Sequence, residues 1–525
     1  MKSLKKVLAI VLAIVMVCSF AVTAFAANNG YDITITSEST GHTFKAYQIL
    51  TGTVTGAGSK SLADPAWGNG VTGSELIAAL DNESVTDAES LVAYLSSLKD
   101  DAAALIEFAA IAADCVSGTG TTLTESPAGT YNATGLAAGY YLVVDETPNL
   151  DGAHDAYSRY ILQVVTNVKV TAKIDYPDVD KEVKDYNDSD SVNGTWGKSA
   201  DYDIGDDVEF RLAGTIPDTT GYETYYYAFH DKMDNTFGTA KNFKVTVGGI
   251  EIKTGYEIVA SPKDGCSFEV VIKDLISVIN TVKNSEGYNS ELGVVVEYTA
   301  ELLESAIVYN PGQDNEVYLE FSNNPNWSSE GDGTPGQPPE EPEGPPTGKT
   351  EPKKVKVFTY DLTVTKTDPE NAPLDGAEFK LEKFEASETG SDTYNGVKGN
   401  WVEVKTIGLE AGHTFEFKGL DDGSYRLTET KAPDGYNKLA DPIYFEIDAT
   451  HTVTETEVTV DEIGTDDDKI VIVNKKVSAT IQNFSGPELP ETGGIGTTIF
   501  YIAGGIIVLF AVVMLVAKRR MKNVA

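Results

Sequence analysis

Tyr425-Arg426-Leu427-Thr428-Glu429-Thr430-Lys431-Ala432-Pro433-Asp434-Gly435-Tyr436 joins a strand pattern to a turn signal. Its start alternates, so Tyr425, Leu427 and Glu429 share one face of a strand, and Asp434-Gly435 supplies a turn. The same two-residue rhythm runs from Asp361 to about Gln482, with another turn signal at Asp422-Gly423. All-β sandwiches give this rhythm. Before that region, Tyr176 to Val357 is mostly short strands with one apolar helix around Leu275 to Val282. Gly331 to Pro352 is Pro-, Gly- and Glu-rich, too polar to bury, and reads as a long surface loop or extended linker before a strand at Val355 to Tyr360. Asn28 to Asp175 opens on alternation at Tyr31 to Ile35 and returns to core strands at Tyr140 to Val144 and Tyr160 to Val165. Between them, Thr72 with Glu75 and Thr86 with Glu89 have the form of capping boxes and predict two helix starts.

The expected fold is therefore mainly β: tandem immunoglobulin-like β-sandwich domains, the first with a helical insertion, plus a C-terminal transmembrane helix. The expected bounds are 1–26, 27–175, 176–357, 358–482 and 483–525. The outer two are targeting segments. Met1 to Ala26 has Lys2, Lys5 and Lys6, an apolar run and small residues at Ala24 and Ala26, the pattern of an export signal. Ile499 to Ala517 is long and apolar enough to span a bilayer, and Lys518, Arg519, Arg520 and Lys522 keep its end cytoplasmic.

Composition removes several function classes. Of 525 residues 41% are hydrophobic, with 26 Tyr and 19 Phe, which is ample for several cores. The 40 Lys+Arg against 80 Asp+Glu give a net charge of -40, and binding nucleic acid would need basic stripes instead. Cys18 leaves with the signal, so Cys115 and Cys266 cannot build a disulfide framework. His42, His154, His230, His413 and His451 lie in no His-Glu-x-x-His spacing, so neither a metal nor a cofactor is expected. With no nucleophile motif and no unexplained carboxylate pair, the chain is not expected to be an enzyme.

Strand phase exposes the residues that carry chemistry. Leu362, Val364 and Lys366 are in phase; so are Tyr425, Leu427 and Glu429, and Ile470, Ile472 and Asn474. Each strand puts one polar group on its apolar face, at a cost of several kcal/mol, roughly, unless the groups are paired or neutralised. The same test in the preceding region picks out Val179-Lys181-Val183, Tyr227-Phe229-Asp231-Met233 and Val317-Leu319-Phe321-Asn323. An intramolecular isopeptide bond accounts for both sets. Desolvation makes the amine a neutral nucleophile and keeps the carboxyl protonated against the carboxamide oxygen, so the amine attacks the amide carbon and ammonia leaves. Tyr31 to Ile35 offers no in-phase Lys, so no bond is expected in the first region.

Four resemblances sharpen this reading. Leu489-Pro490-Glu491-Thr492-Gly493, with the apolar span and basic tail behind it, resembles the sorting signal of Gram-positive surface proteins. That resemblance implies a sortase that attacks the Thr492 carbonyl, releases the Gly493 side and passes the acyl group to an amine. Tyr425 to Tyr436, with Leu374-Asp375-Gly376-Ala377 and Phe417-Lys418-Gly419-Leu420, resembles the collagen-adhesin B-type domain, implying Lys366 as nucleophile, Glu429 as acid and Asn474 as acceptor. Lys181, Asp231 and Ser322-Asn323-Asn324-Pro325 resemble the fimbrial isopeptide-forming domain, implying Asn323 as acceptor with Asn324 as the alternative. Asn235-Thr236-Phe237-Gly238 follows Asp231 where that family has a Gly-Leu pair.

From signal to tail the chain resembles the major (backbone) pilin subunit of sortase-assembled Gram-positive pili. The resemblance implies a structural subunit of a covalent pilus attached to the cell wall, with Thr492 of one copy joined to Lys173 of the next. Lys169 is the alternative amine. The implied partners are sortase, neighbouring copies, ancillary pilins, peptidoglycan and a host surface ligand. The competing expectation is a monomeric wall-anchored adhesin, or an ancillary tip or base pilin that binds a host ligand.

Overall fold

The computed structural model describes residues 30–486, apart from 38–39, 57–59, 99–101, 148–157, 173–175, 191–193, 220–221, 223, 324–346, 455–457, 465–469 and 474–475. Strands dominate, and the described residues fall into two compact units. One holds the described residues of Met1–Tyr186, Asn193–Thr359 and His451–Thr459; the other holds those of Asn187–Val192, Tyr360–Thr450 and Val460–Ala525. Among the described residues no helix is long and apolar enough to cross a membrane; the expected span at Ile499 to Ala517 lies outside them.

The first unit begins with two sheets. In one, Tyr31–Thr36 lies between Thr130–Leu136, antiparallel, and Val168–Thr171, parallel. In the other, Phe44–Thr55 and Arg159–Val164 flank Gly139–Asp145. All seven residues of Gly139–Asp145 are buried, because the strand is covered on both faces. Tyr141 and Val143 face the sheet core with Ile33 and Ile35, whereas Tyr140, Leu142 and Val144 pack with Leu76, Leu91 and Phe108 of a helical layer. That layer has three helices, Gly73–Leu80, Ala88–Ser97 and Ala102–Asp114, one more than the capping signals predict. The second is capped by Asp87, which exchanges hydrogen bonds with Ser90, rather than by Thr86 with Glu89. Thr72 stands at the N-cap of the first but accepts no side-chain bond there.

A second pair of sheets follows in the same unit. One has Val179–Asp185, Asp207–Gly214, Val294–Glu301 and Lys241–Val247 as consecutive neighbours, and the other has Lys353–Phe358, Gln313–Ser322, Tyr227–Met233 and Phe268–Ile272. Their facing side chains share one core, which includes Val183, Phe210, Phe229, Val296, Leu319 and Val357. The helix Leu275–Val282 lies where the sequence predicts it, started by Asp274 accepting from the Ile276 amide. The Pro-rich stretch ends earlier than its composition suggests. Thr347–Lys349 already pairs with the end of Gln313–Ser322, and the single strand expected at Val355 to Tyr360 is two, Lys353–Phe358 and Tyr360–Thr367, in different sheets.

The second unit is a sandwich built on the opening motif. Thr414–Leu420, Tyr360–Thr367, Lys476–Gln482 and Ile470–Val473 form one sheet, in that order. Val397–Ile407, Glu378–Ala386, Gly423–Lys431 and Ile443–Val453 are neighbours in the other. Phe379 and Phe415 meet between the sheets, ring centroids 5.0 Å apart. Cys115 and Cys266 are both free thiols.

Candidate functional site

Lys181 and Asp231 come from facing sheets and are both fully buried. Alternation places them: Val179, Lys181 and Val183 point inward from one strand, and Tyr227, Phe229 and Asp231 from another. The Lys181 amine donates to Asp231 Oδ2, and the Tyr298 hydroxyl lies 3.2 Å from that amine and 3.0 Å from the same carboxylate oxygen. The rings of Phe210 and Tyr298 each lie 5.6 Å from Lys181 Nζ, so the amine has apolar walls in place of water. Burial accordingly lowers the Lys181 pKa to about 8, against the pull of Asp231, and raises that of Asp231.

The carboxamide in this cluster is Asn315. It is fully buried, and its Nδ2 donates to the Tyr298 hydroxyl over 2.8 Å. Register explains its place: Asp231 stands opposite Val317 and Met233 opposite Asn315, so Asn315 is the diagonal neighbour of Asp231 on the same face. Asn323, the acceptor expected from its Ser-Asn-x-Pro context, is elsewhere. Tyr227 stands opposite Phe321, so Asn323 is carried beyond the far end of the Asp231 strand, about 26 Å past Asn315 at the ordinary rise of a strand. Asn324 lies outside the described residues. Asn315 was legible, since it is in phase with Val317, Leu319 and Phe321; Tyr298, which touches all three groups, carries no sequence signal of this role.

The second unit repeats the arrangement with different strands. Lys366 and Glu429 are buried on facing sheets, Nζ to Oε1 3.9 Å, and the Lys366 amine donates to the Ile481 carbonyl over 2.8 Å. Burial lowers the Lys366 pKa to about 8, against the pull of Glu429. The carboxamide here is Asn483, which is buried and donates from Nδ2 to Glu429 Oε2 over 3.0 Å. Tyr360–Thr367 runs parallel to Lys476–Gln482 with Lys366 opposite Ile481, so Asn483 follows in phase two residues on. Asn474, the expected acceptor, lies outside the described residues. The strand leading to it is separated from the lysine strand by Lys476–Gln482, and it ends with Val473 opposite Lys476, well away from Ile481. Val477, Ala479, Ile481 and Asn483 alternate in phase, which is the sequence signal for Asn483 on this face.

The turn of the opening motif completes this cluster. Gly435 has φ 86°, a left-handed conformation that glycine adopts without strain. Past it, Tyr436 bridges to Ser485, the Leu439 amide donates to Glu429 Oε2 over 2.7 Å, and the Asn437 carbonyl accepts from Asn483 Nδ2. The motif thus holds both the carboxyl and the carboxamide.

The two clusters share one further feature. In each, the second carboxyl oxygen (Asp231 Oδ1, Glu429 Oε1) and the carboxamide oxygen (Asn315 Oδ1, Asn483 Oδ1) are buried acceptors without a hydrogen-bond partner among the described residues. A proton on the carboxyl turns one acceptor of each pair into a donor. Chemically, each cluster offers a desolvated amine, a buried carboxyl and a carboxamide carbon.

Lys173 and the segment Leu489, Pro490, Glu491, Thr492 and Gly493 lie outside the described residues. Lys169 is exposed on Val168–Thr171, opposite Thr34 of the first strand.

Residues 360–462 match the SpaA prealbumin-like fold domain, and residues 483–523 match the LPXTG cell wall anchor motif. Among solved structures the chain is similar to a backbone pilin of Streptococcus pyogenes described as having a modular three-domain structure, at 15% identity over 88% of this chain and 100% of that one, with a TM-score of 0.50. It is also similar to the full-length major pilin SpaD from Corynebacterium diphtheriae (17% identity, 87% and 98% covered, TM-score 0.43) and to BcpA, the major pilin subunit of Bacillus cereus (15% identity, 87% and 99% covered, TM-score 0.40). No curated protein matches the chain in sequence. The chain is a wall-anchored surface protein that carries a SpaA prealbumin-like domain, and it has the fold of a modular backbone pilin.

Proposed function

We propose that the chain is the shaft subunit of a covalently polymerised cell-surface pilus, a substrate of sortase rather than an enzyme, and that it is welded internally by Lys181–Asn315 and Lys366–Asn483 isopeptide bonds. In each bond the neutral lysine Nζ attacks the asparagine carboxamide carbon, the carboxyl of Asp231 or Glu429 relays the proton, the old C–N bond breaks and ammonia leaves. The observation that carries the reading is the pair of buried amine, carboxyl and carboxamide clusters. A surface fibre must carry tension, and a covalent link between strands lets load bypass the segment it brackets. Ile481 and Asn483 sit beside the first strand of the last sandwich, so that weld joins the start of the domain to its end, next to the wall-anchor motif. The S. pyogenes relative, which shares this fold, is named as a backbone pilin.

In this reading Thr492 of one copy is joined to Lys173 of the next, the last copy is joined to peptidoglycan, and ancillary pilins join through the same acyl transfer. Wall extracts boiled in detergent are expected to show a high-mass ladder that is abolished by Lys173→Ala and kept by Lys169→Ala. A single monomer band from the native chain would overturn the shaft assignment.

The bond-forming step has its own pH signature. The reactive pair is a neutral Lys181 and a protonated Asp231. With the amine lowered to about 8 and the carboxyl raised, the rate of ammonia loss during refolding is expected to be bell-shaped. It falls about tenfold per pH unit below the carboxyl's titration, where the amine stays protonated, and again above about pH 8, where the amine is already neutral and no longer offsets the dwindling protonated carboxyl. Time-resolved intact mass checks this. An alkaline limb at the ordinary lysine value of 10.5 would show that burial does not activate the amine.

A further inference from the structure

The strand Tyr227–Met233 has two working faces. Asp231 points into the sandwich, and pleating turns its neighbour His230 to the opposite side of the sheet. On that side His230 stands opposite Glu269 of one neighbouring strand and Tyr318 of the other. His230 is buried, yet it is surrounded by ligand-type atoms. Its Nδ1 lies 2.8 Å from Asp264 Oδ2 and 3.3 Å from Glu269 Oε1, and its Nε2 lies 3.2 Å from Glu320 Oε2. Cys266 brings its thiol to the same point: one ligand atom each from His230, Asp264 and Cys266 lie within 4.8 Å of one another.

The surroundings hold these groups in place. The Tyr318 ring stacks on the imidazole, centroids 4.5 Å apart at 7°, and its hydroxyl donates to Asp264 Oδ2 over 2.8 Å. The Cys266 amide donates to Asp264 Oδ1 over 2.9 Å, which folds the loop so that thiol and carboxylate face the ring. Glu269 is 2% exposed, and its Oε2 is a buried acceptor with no hydrogen-bond partner among the described residues. A buried carboxylate with one oxygen left unpaired and the other 3.3 Å from the histidine is a costly arrangement unless a cation completes it.

We propose that His230 Nδ1, Asp264 and Cys266 Sγ bind a divalent cation of the zinc class, with Glu269 as the fourth ligand and Glu320 as the acceptor that fixes the imidazole from behind. The donor set selects the metal: imidazole and thiolate suit zinc-class ions, whereas calcium and magnesium take oxygen alone. Ligand atoms bound tetrahedrally at about 2.0–2.3 Å stand roughly 3.3–3.8 Å from one another, so the 2.8 Å His230–Asp264 contact needs to open by about half an ångström, whereas the 3.3 Å from His230 to Glu269 already fits. Glu320 Oε2, 3.2 Å from Nε2 on the far side of the ring, stands where the carboxylate of a carboxylate–histidine–metal arrangement sets tautomer and ring orientation. The site would clamp the Asp264–Cys266 loop to the back of the strand whose front carries Asp231. It is invisible to spacing motifs, because its ligands come from two strands and a loop.

Cobalt is the probe, because a cysteine thiolate bound to Co²⁺ gives a near-ultraviolet charge-transfer band that carboxylates and imidazoles do not. The full chain in detergent, stripped with chelator and reloaded with Co²⁺, is expected to show this band and to retain one cobalt per chain through gel filtration. The band is expected to vanish in Cys266→Ser and to persist in a Cys18→Ser/Cys115→Ser double variant. Asp264→Asn, at an exposed position, is expected to cut retained cobalt at least tenfold while leaving the far-ultraviolet circular dichroism unchanged. Absence of the band in the native chain, its survival in Cys266→Ser, or full cobalt retention in Asp264→Asn would each overturn the site.

Discussion

The full chain, expressed without sortase and weighed intact, is expected to fall short of its processed sequence mass by two ammonia molecules, and the two deficits are expected to be separable. Asn315→Ala removes one and Asn483→Ala the other, whereas Asn323→Ala and Asn474→Ala leave both. Asp231→Ala and Glu429→Ala are each expected to restore one ammonia although neither residue enters the bond. The physical reason is that the amine cannot expel ammonia from an unactivated carboxamide; it needs the carboxyl that shares its buried space. Geometry sets the choice of asparagine. Asn315 shares the Tyr298 hydroxyl with Lys181, and Asn483 is bonded to Glu429, while Asn323 lies many residues along the strand. An unmodified mass in the native chain would remove both welds, and a deficit lost with Asn323→Ala would return the acceptor to the sequence-expected position.

Thermal melting should separate the weld from the ion pair it starts as. Each bond closes a loop of more than a hundred residues, and a cross-link of that span stabilises by about 5 kcal/mol in the chain-entropy account. At about 2–4 °C per kcal/mol for domains of this size, Asn315→Ala or Asn483→Ala is expected to lower the melting temperature of its own transition by roughly 10–20 °C. Asn315→Ala is the telling variant, because it leaves the buried Lys181–Asp231 pair intact, so Coulombic loss cannot account for the drop. Asp231→Ala is expected to cost more, since it also strands a buried lysine without its counter-ion, a penalty of about 3–5 kcal/mol. The clusters lie in different compact units, so the double variant Asn315→Ala/Asn483→Ala is expected to show both drops together. A melting curve unchanged by Asn315→Ala would mean that Lys181 and Asp231 form a salt bridge only.

Both lysines and both carboxyls were legible because strand alternation is local. A residue two positions from a buried Val or Leu shares its face, so Lys181, Asp231, Lys366 and Glu429 announce themselves as polar groups on apolar faces. The asparagines required more. Several Asn are in phase with a core strand, and which one meets the amine depends on register and on which strand is the neighbour. Those are settled by pairing between residues far apart in the chain. The helical layer shows the same limit: the capping signals mark two helix starts, whereas Ala102–Asp114 carries no such signal and is held by packing of Phe108, Ala109 and Ala112 against the sheet.

By itself the sequence determined the β architecture, the tension between buried charges and apolar faces, and the wall-anchor motif at residues 483–523, since each depends on residues close together in the chain. Only the tertiary structure decided which carboxamide joins each buried cluster, that Tyr298 ties the first cluster together, and that His230, Asp264 and Cys266 converge behind Asp231. The reason is physical: alternation fixes which way a side chain points, but what it meets there is chosen by sheet register and by how two sheets close over a common core.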